Sequence, residues 1–174
     1  MHQEADFVPL NIAILTLSDS RTLATDTSGQ ALEDLLASAG HHLVARQLCK
    51  DDIYTSRAIV SAWIVDDTID VIITTGGTGL TNRDSTPEAL RPLFDTLIEG
   101  FGELFRQVSF EEIGSSTVQS RALAGLANQT LLFCLPGSTG ACRTGWTRIL
   151  EEQLDSRHRP CNFVAQTRSG AHLL

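Results

Sequence analysis

Residues 70–87 read Asp-Val-Ile-Ile-Thr-Thr-Gly-Gly-Thr-Gly-Leu-Thr-Asn-Arg-Asp-Ser-Thr-Pro, and this stretch decides the fold. Its β-branched run at 71–73 predicts a buried strand. The glycine turn at 76–79 lets the backbone bend sharply, approach a ligand closely and present successive N–H groups to an anion. Thr86 and Pro87 predict an N-cap followed by proline in the first helical position. The loop therefore leads from the carboxyl end of a strand to a helix, where open α/β sheets bind ligands.

The same loop excludes two common nucleotide-binding motifs. It lacks the Gly-x-x-x-x-Gly-Lys-Ser/Thr pattern, and Lys50 is the only lysine in the chain. Its spacing also differs from Gly-x-Gly-x-x-Gly, the dinucleotide fingerprint. On local composition alone, a glycine-rich turn that merely connects a strand to a helix is an equally good interpretation.

The composition is that of one globular domain. The chain has 174 residues, enough to bury a full core, and its 42% apolar and 20% charged residues do not predict disorder. The net charge of −8 argues against a nucleic-acid partner, because phosphate backbones need clustered Lys and Arg. No apolar run approaches the length of a membrane span. We expect a single domain over residues 1–174 that begins with a loose, polar leader at 1–8.

The cysteines predict a reducing compartment. Cys49, Cys134, Cys142 and Cys161 contain no Cys-x-x-Cys pair, which argues against a zinc or redox motif and indicates mostly buried thiols. No secretory signal pattern is visible at the N-terminus. We therefore expect a soluble, cytoplasmic protein without a membrane partner.

Strand and helix patterns alternate along the chain. Apolar runs predict strands at 11–17, 43–48, around Val71 and at 131–135, the first of them buried on both faces. Helical spacing predicts helices at 31–39, 59–64, 89–98, 101–108 and 141–154, with a kink or two short helices at Pro92. Residues 113–124 are ambiguous, and we predict a short helix at 118–124. The alternation predicts an α/β fold, a three-layer α/β/α sandwich with a mostly parallel sheet.

Three polar loops follow strand ends, at 18–29, 75–86 and 136–140. Because the carboxyl ends of parallel strands share one edge of a sheet, we expect these loops to converge on a single crevice. Asp84 lies in the second loop, beside the glycine turn. A carboxylate next to a bound phosphate needs a cation between them, and Mg²⁺ meets that need. Alternatively, Asp84 pairs with Arg83 or caps the following helix.

A longer string of residues resembles the signature of the molybdopterin-binding family. That family includes molybdenum-cofactor biosynthesis proteins of the MoaB and MogA type and the equivalent domains of gephyrin. The signature is carried by residues 74–79 and by Arg-Asp-x-Thr-Pro-Glu-Ala at 83–89. The resemblance extends from residues 12–19 to residues 159–163, and the tail with residues 136–146 looks most like the MoaB branch.

The resemblance implies two catalytic aspartates that hold Mg²⁺. Asp84 matches the Arg-Asp-x-Thr-Pro element directly. Asp51 matches the second aspartate in position, although Lys50 replaces the proline that usually precedes it. Asp52 is the neighbouring candidate, and either acid is alternatively the N-cap of a helix that begins near Ile53.

The resemblance also implies a set of residues that bind the pterin or the nucleotide. For the residues of the loop at 18–29, the alternative role is to form turns and to cap the following helix. Arg121 would clamp a phosphate, and its alternative role is a surface ion pair. For the Pro-Gly pair the alternative is a tight connection. The implied set is Ser18, Asp19, Asp26, Ser28, Gly29, Thr75, Gly76, Gly77, Thr78, Gly79, Ser109, Ser120, Arg121, Pro136 and Gly137.

The implied reaction is transfer of AMP from Mg-ATP to the phosphate of molybdopterin, with release of pyrophosphate. Such a transfer needs alignment and charge neutralisation rather than covalent participation by the protein. The alternative is a carrier or scaffold that binds molybdopterin without turnover, and a generic NAD-binding domain is a weaker rival. The resemblance further implies a homo-oligomer, either a trimer or a hexamer. Whether the pathway uses molybdenum or tungsten stays open.

Overall fold

A six-stranded sheet lies between two layers of helices in the computed structural model, which describes residues 6–173. The sheet order is β2-β1-β3-β6-β5-β4, and the first four of these strands are parallel. The strands β5 and β4 are antiparallel to their neighbours. The predicted α/β sandwich with a mostly parallel sheet is therefore confirmed. The strands are β1 Asn11–Leu17, β2 His42–Cys49, β3 Val71–Thr75, β4 Thr96–Leu97, β5 Leu123–Ala127 and β6 Thr130–Leu135.

Over residues 6–173, six α-helices and several short 3-10 turns lie between or after these strands. The predicted final helix is one helical run that contains a π-helical segment, Trp146–Leu150, between α5 and α6. The α-helices are α1 Thr27–Ser38, α2 Ile53–Val65, α3 Thr86–Leu90, α4 Glu99–Ile113, α5 Thr139–Gly145 and α6 Glu151–Gln153. The 3-10 turns are Arg91–Leu93, Gly114–Gln119, Val164–Gln166 and Ala171–Leu173.

The sheet is buried on both faces because successive side chains of a strand point in opposite directions. On β1, Ile12 and Ile14 pack into one apolar core together with α1, α4 and α5. Ala13 and Leu15 pack into a second core with α2 and α3 on the opposite face. This arrangement explains why β1 reads as a near-continuous apolar run. Three of the four cysteines lie in these cores, as predicted, and Cys161 is exposed.

The predicted helix at 118–124 is wrong. The 3-10 turn Gly114–Gln119 ends there, and the chain then enters β5, which pairs with β6. The two strands are joined at Asn128 and Gln129, which both have positive φ angles, 48° and 63°. Such a two-residue turn matches the twist of a β-hairpin, so pairing with β6 overrides the weak helical pattern.

Pro92 ends the helical pattern that begins at α3. The helix stops at Leu90, the 3-10 turn Arg91–Leu93 follows, and the predicted two short helices are confirmed up to that point. Residues 94–98 are not helical, because Thr96–Leu97 pairs with β5 as the edge strand β4. Proline removes a backbone donor and clashes with the preceding turn, which frees the chain for this pairing.

The N-terminal end of the described chain packs against the domain. Ser156 Oγ donates a hydrogen bond to the carbonyl of Asp6 at 2.7 Å and accepts one from Val8 N at 2.9 Å. The first five residues of the predicted leader lie outside the described residues. Over residues 6–173, the helices are all too short or too polar to cross a membrane.

Candidate functional site

A crevice of about 650 Å³ lies at the carboxyl ends of β1, β3 and β6. The three polar loops that follow these strands meet there, as the parallel topology predicts. Helix α4 and the 3-10 turn Gly114–Gln119 form the opposite wall. The sequence-predicted residues that line the crevice are Ser18, Asp19, Ser28, Asp51, Thr75, Gly76, Gly77, Thr78, Gly79, Asp84, Ser109, Ser120, Pro136 and Gly137.

The glycine turn at the end of β3 depends on the absence of side chains. Gly76 and Gly77 have φ angles of 107° and 67°, which L-residues with a Cβ rarely adopt. A Cβ on Gly76 would collide with the carbonyl oxygen of Leu17, and one on Gly77 would collide with Asp51 Oδ1. The turn therefore packs directly against the end of β1 and against the loop that carries Asp51.

Thr86 ties the turn to the following helix. The predicted N-cap role of Thr86 is wrong, because α3 begins at Thr86 and the N-cap position belongs to Ser85, which makes no side-chain capping bond. Thr86 Oγ1 instead donates to the carbonyl of Gly76 at 2.8 Å, and Thr86 N donates to the carbonyl of Gly77 at 3.0 Å. The Thr86 hydroxyl is therefore buried against the glycine turn and does not cap the helix.

Asp84 is held in place by its own loop. Its Oδ2 accepts hydrogen bonds from Thr81 N at 2.9 Å and from Thr81 Oγ1 at 2.7 Å. Burial raises the pKa of this carboxyl, but the hydrogen bonds from Thr81 outweigh burial and the pKa lies below its usual value. Neither alternative for Asp84 holds, because Arg83 pairs with Asp19 at 3.6 Å and Asp84 does not cap α3. Asp84 is thus a fixed anion beside Gly79.

Asp51 is the second acid of the crevice and lies on the other side of the glycine turn. Its Oδ1 is buried and has no hydrogen-bond partner. Burial, followed by the charges of Asp19 and Asp84, raises the pKa of the Asp51 carboxyl to about 6. The neighbouring candidate Asp52 is instead the N-cap of α2, where its Oδ1 accepts from Thr55 N at 2.7 Å. Of the two adjacent aspartates, only Asp51 lines the crevice.

The pair formed by Asp51 and Asp84 fits a divalent cation. An orphaned buried oxygen and mutually repelling carboxylates are both relieved when a cation binds between them. Among residues 6–173, no group of three or more His, Cys, Asp or Glu side chains is arranged as a metal site. An ion held here would therefore take its other ligands from water and from substrate phosphates, as Mg²⁺ commonly does.

Two arginines that were not among the predicted site residues also line the crevice. Arg21 Nη1 donates to Thr27 Oγ1 at 2.8 Å, which places the guanidinium beside the start of α1. Arg83 reaches from the glycine loop to Asp19 and is largely exposed. They supply positive charge in a site that has no lysine. The sequence signal that could have identified both arginines was their position in two of the predicted loops, at 18–29 and 75–86.

Arg121 does not line the crevice, so the predicted phosphate clamp is not supported by its position. Its Nε donates to the carbonyl of Gly79 at 2.8 Å and its Nη2 to the carbonyl of Asp84 at 2.9 Å. Its Nη1 forms an ion pair with Glu88. All three nitrogens of the guanidinium are therefore engaged in bracing the glycine loop from behind.

Asp26 and Gly29 also lie outside the crevice lining. Asp26 is the N-cap of α1, where its Oδ1 accepts from Gly29 N at 2.9 Å. Its Oδ2 accepts from Thr16 Oγ1 at 2.7 Å and pairs with Arg46 at 3.3 Å. The capping alternative accounts for both residues. They fix the first loop by joining the end of β1 to the start of α1.

The wall formed by α4 carries the predicted residue Ser109 and, beside it, Glu112, which the sequence analysis missed together with its partner Thr144. Ser109 is nearly buried, and Glu112 follows it one helical turn later on the same face. Thr144 Oγ1 donates to both carboxylate oxygens of Glu112, at 2.8 and 2.9 Å. The i, i+3 spacing from Ser109 was the only sequence signal for Glu112. Thr144 could not be paired with it from sequence, since the two lie 32 residues apart.

Most of the chain, including the loops that form the crevice, matches one protein family. Residues 13–156 match the family described as "Probable molybdopterin binding domain". The chain is 58% identical over 158 residues to molybdenum cofactor biosynthesis protein B of Escherichia coli K12, covering 91% of this chain and 93% of that protein.

Solved structures agree with this comparison. A crystal structure of molybdenum cofactor biosynthesis protein B is 43% identical, with a TM-score of 0.81, and the match covers 84% of this chain and 91% of that one. The tungsten cofactor synthesizing protein MoaB from Pyrococcus furiosus is 36% identical, with a TM-score of 0.73, covering 83% and 92%. The resemblance inferred from the motifs is therefore confirmed over most of the chain.

Replacing Asp51 with Asn is expected to stabilise the ligand-free protein at pH 7.5. The raised pKa means that folding disfavours the Asp51 anion, a penalty that is absent below pH 3.8, grows as pH rises and is complete above about pH 6. After allowance for the partial exposure of the group, the gain is on the order of 1 kcal/mol, or about 2–4 °C in Tm. Thermal unfolding of wild type and D51N between pH 4 and pH 8 measures it.

The matched control is Asp52→Asn, because Asn caps a helix about as well as Asp and Asp52 lies outside the crevice. D52N should show no gain in Tm over wild type at pH 7.5, because the hydrogen bonds from Thr55 lower the pKa of Asp52 instead of raising it. A D51N protein that is less stable than wild type at pH 7.5, or whose advantage is the same at pH 4, contradicts the assignment.

Replacing Arg121 with Met is expected to lower Tm by about 4–8 °C without ligand, since about 2 kcal/mol of charge-assisted hydrogen bonding is lost. Calorimetry of the ligand-free protein measures this, with Arg91→Met, an exposed arginine of the adjacent 3-10 turn, as the control. An R121M protein with unchanged Tm but weakened phosphate binding would show that Arg121 is a clamp after all.

Proposed function

The chain belongs to the molybdopterin-binding domain family, in its MoaB branch, and we propose that it is a molybdopterin adenylyltransferase. As a molybdenum cofactor biosynthesis protein, it would take molybdopterin and Mg-ATP as substrates. A phosphate oxygen of molybdopterin forms a bond to the α-phosphorus of ATP. The bond from that phosphorus to the oxygen bridging the β-phosphate breaks, and pyrophosphate leaves.

One observation carries this proposal: two carboxylates flank a main-chain phosphate cradle, and one of them is unsatisfied. Asp51 lies against Gly77 and Asp84 against Gly79, so the acids border the same turn from two sides. Burial of the unpartnered Asp51 oxygen is costly in the absence of a cation. An arrangement that costs stability in the free protein is typical of a site where a ligand completes it.

Positioning is the main contribution of the chain to such a transfer. The amides of the glycine turn are suited to hold phosphate oxygens, because the turn exposes backbone without side chains. Ser18, Ser28 and the Pro136-Gly137 pair line the crevice beside this turn, and Gly137 packs against Gly76. We assign them to the substrates, together with Asp19 and Thr75. Ser109 on α4 and Ser120, which directly follows the 3-10 turn Gly114–Gln119, are assigned to the pterin.

Charge is the second requirement, because ATP and molybdopterin both carry phosphate. Mg²⁺ held by Asp51 and Asp84 would neutralise part of that charge at the reacting centre. Arg21 and Arg83 add positive charge from the rim of the crevice. Asp84, with its lowered pKa, is ionised over the whole physiological range, and Asp51 is ionised above about pH 6.

A molybdopterin carrier with the same crevice is the second candidate function. The feature that favours it is Lys50, which precedes Asp51 at the position where the family resemblance implies a proline. A simple NAD-binding domain is not favoured, because the turn lacks the dinucleotide spacing.

Pyrophosphate release separates the two functions. With molybdopterin and Mg-ATP, wild type is expected to release one pyrophosphate for each adenylylated product, and Asp84→Asn is expected to be at least about 100-fold slower. Molybdopterin binding should stay within about threefold of wild type in D84N. Coupled detection of pyrophosphate and chromatography of the pterin product measure the two quantities.

The matched control is Asp66→Asn, at the end of α2 and away from the crevice, which should release pyrophosphate like wild type. Tight molybdopterin binding by wild type without any release of pyrophosphate would favour the carrier.

We further propose that the chain forms a homo-oligomer, a trimer or a hexamer, through an apolar surface at α4. Phe110 and Ile113 are 59% and 56% exposed there, and Val118 in the next turn is 79% exposed. Apolar side chains clustered on a surface are typical of protein interfaces. Light scattering of the purified protein should give three or six chains, and Phe110→Glu should give monomers. A monomeric wild type contradicts this proposal.

A further inference from the structure

The α4 wall of the crevice carries an anion that no positive group offsets. Glu112 lines the crevice, and in the part of the chain that the structure describes it forms no ion pair with Arg, Lys or His. Its neighbour Glu111 points elsewhere and pairs with Arg148 at 2.9 Å. An unpaired carboxylate repels the phosphate of a ligand. It is favourable in such a site only where it contacts another part of the ligand, one that donates hydrogen bonds.

Thr144 holds this carboxylate in one orientation. Its hydroxyl is nearly buried in α5 and lies 2.8 and 2.9 Å from the two oxygens of Glu112. A hydroxyl has one proton to donate, so the two oxygens share a single hydrogen bond and keep most of their capacity to accept others. An ionised carboxylate is acceptor-only. The ligand part that lies against Glu112 must therefore present N–H or O–H donors.

The crevice lining accordingly contains two chemically different sets of residues. The glycine turn, Asp51 and Asp84 suit phosphates and a divalent cation. Ser109, Glu112 and the ring of Phe105, all on α4, suit a flat heterocycle with a donor edge. A ligand with a phosphate at one end and a donor-rich ring at the other fits both sets.

We propose that Glu112 is the specificity-determining residue that accepts two parallel hydrogen bonds from the 2-amino-4-oxopyrimidine edge of the pterin ring. This inference rests on the proposed function, which makes a pterin the substrate. The 2-amino group and N3–H of a pterin stand side by side as two donors and match the two oxygens of a carboxylate. Adenine presents one donor next to an acceptor, so Glu112 selects the pterin over the adenine of ATP.

Two ligands that differ only at this edge test the proposal. The probes are 6-hydroxymethylpterin monophosphate and 6-hydroxymethyllumazine monophosphate, in which a carbonyl replaces the 2-amino group. Titration of their intrinsic fluorescence with wild type should give tighter binding of the pterin by about 10- to 100-fold, the range of a charge-assisted hydrogen-bonded pair. Glu112→Gln should weaken the pterin by a similar factor and leave the lumazine within about threefold.

Two further variants separate recognition from folding. Glu111→Gln is the matched control, because it removes the adjacent carboxylate that pairs with Arg148 on the surface, and it should bind both probes like wild type. Thr144→Val keeps the shape of the side chain and removes only the hydroxyl that orients Glu112. It should weaken the pterin by about three- to tenfold and the lumazine little. The ratio of the two affinities within each variant is insensitive to a general loss of stability.

The outcomes separate this inference from the function on which it rests. If wild type binds the pterin and E112Q binds it equally well, the inference is overturned while the proposed function stands. If wild type binds no pterin phosphate, both are overturned. Guanine has the same donor edge, so GMP is the third probe. Binding of GMP as tight as that of the pterin, with the same loss in E112Q, would assign the site to a guanine nucleotide and overturn the inference.

Discussion

The close approach of the glycine turn to its neighbours is the constraint on which the whole site depends. Gly76 packs against the carbonyl of Leu17, and Gly77 packs against Asp51 and Thr86. Any side chain at either position would push the β3 loop away from the end of β1 and open the crevice. Because both residues also have positive φ angles, glycine is required for conformation and for space at once. The three loops can approach one another because the two glycines of this turn have no side chains.

Electrostatics then distinguishes the two acids that the turn brings together. Asp84 receives two hydrogen bonds from Thr81 and has a lowered pKa, whereas Asp51 has a buried oxygen without a donor and a raised pKa. The same residue type therefore has opposite shifts on two sides of one turn, for reasons of local hydrogen bonding and burial. Arg121 supports this arrangement from outside the crevice, by holding the carbonyls of Gly79 and Asp84.

The antiparallel edge of the sheet supports the wall of the crevice that α4 forms. The strands β5 and β4 extend the parallel core, and α4 and its 3-10 turn pack over them. This packing brings Ser109 and Glu112 into the lining of the same crevice as the glycine turn. The site is thus assembled from a parallel half that suits phosphates and an α4 wall that suits a ring with hydrogen-bond donors.

The sequence patterns predicted the parallel core, the glycine turn, the convergence of three loops and the place of Asp84 beside that turn, whereas Asp51 was implied only by the family resemblance. These predictions follow from local patterns: apolar runs for strands buried on both faces, and glycines where a side chain is excluded. The edge strands were missed, because Thr96–Leu97 and Leu123–Ala127 become strands by pairing with neighbours rather than by their own pattern.

Only the tertiary structure decided which of these side chains reach the crevice and which ones they contact. It separated Asp51 from the adjacent helix cap Asp52, and it turned Arg121 from a candidate ligand into a brace for the loop. It also joined Thr144 to Glu112 across 32 residues of chain. Side-chain direction and burial depend on contacts between segments far apart in sequence, so residue type and spacing cannot determine them.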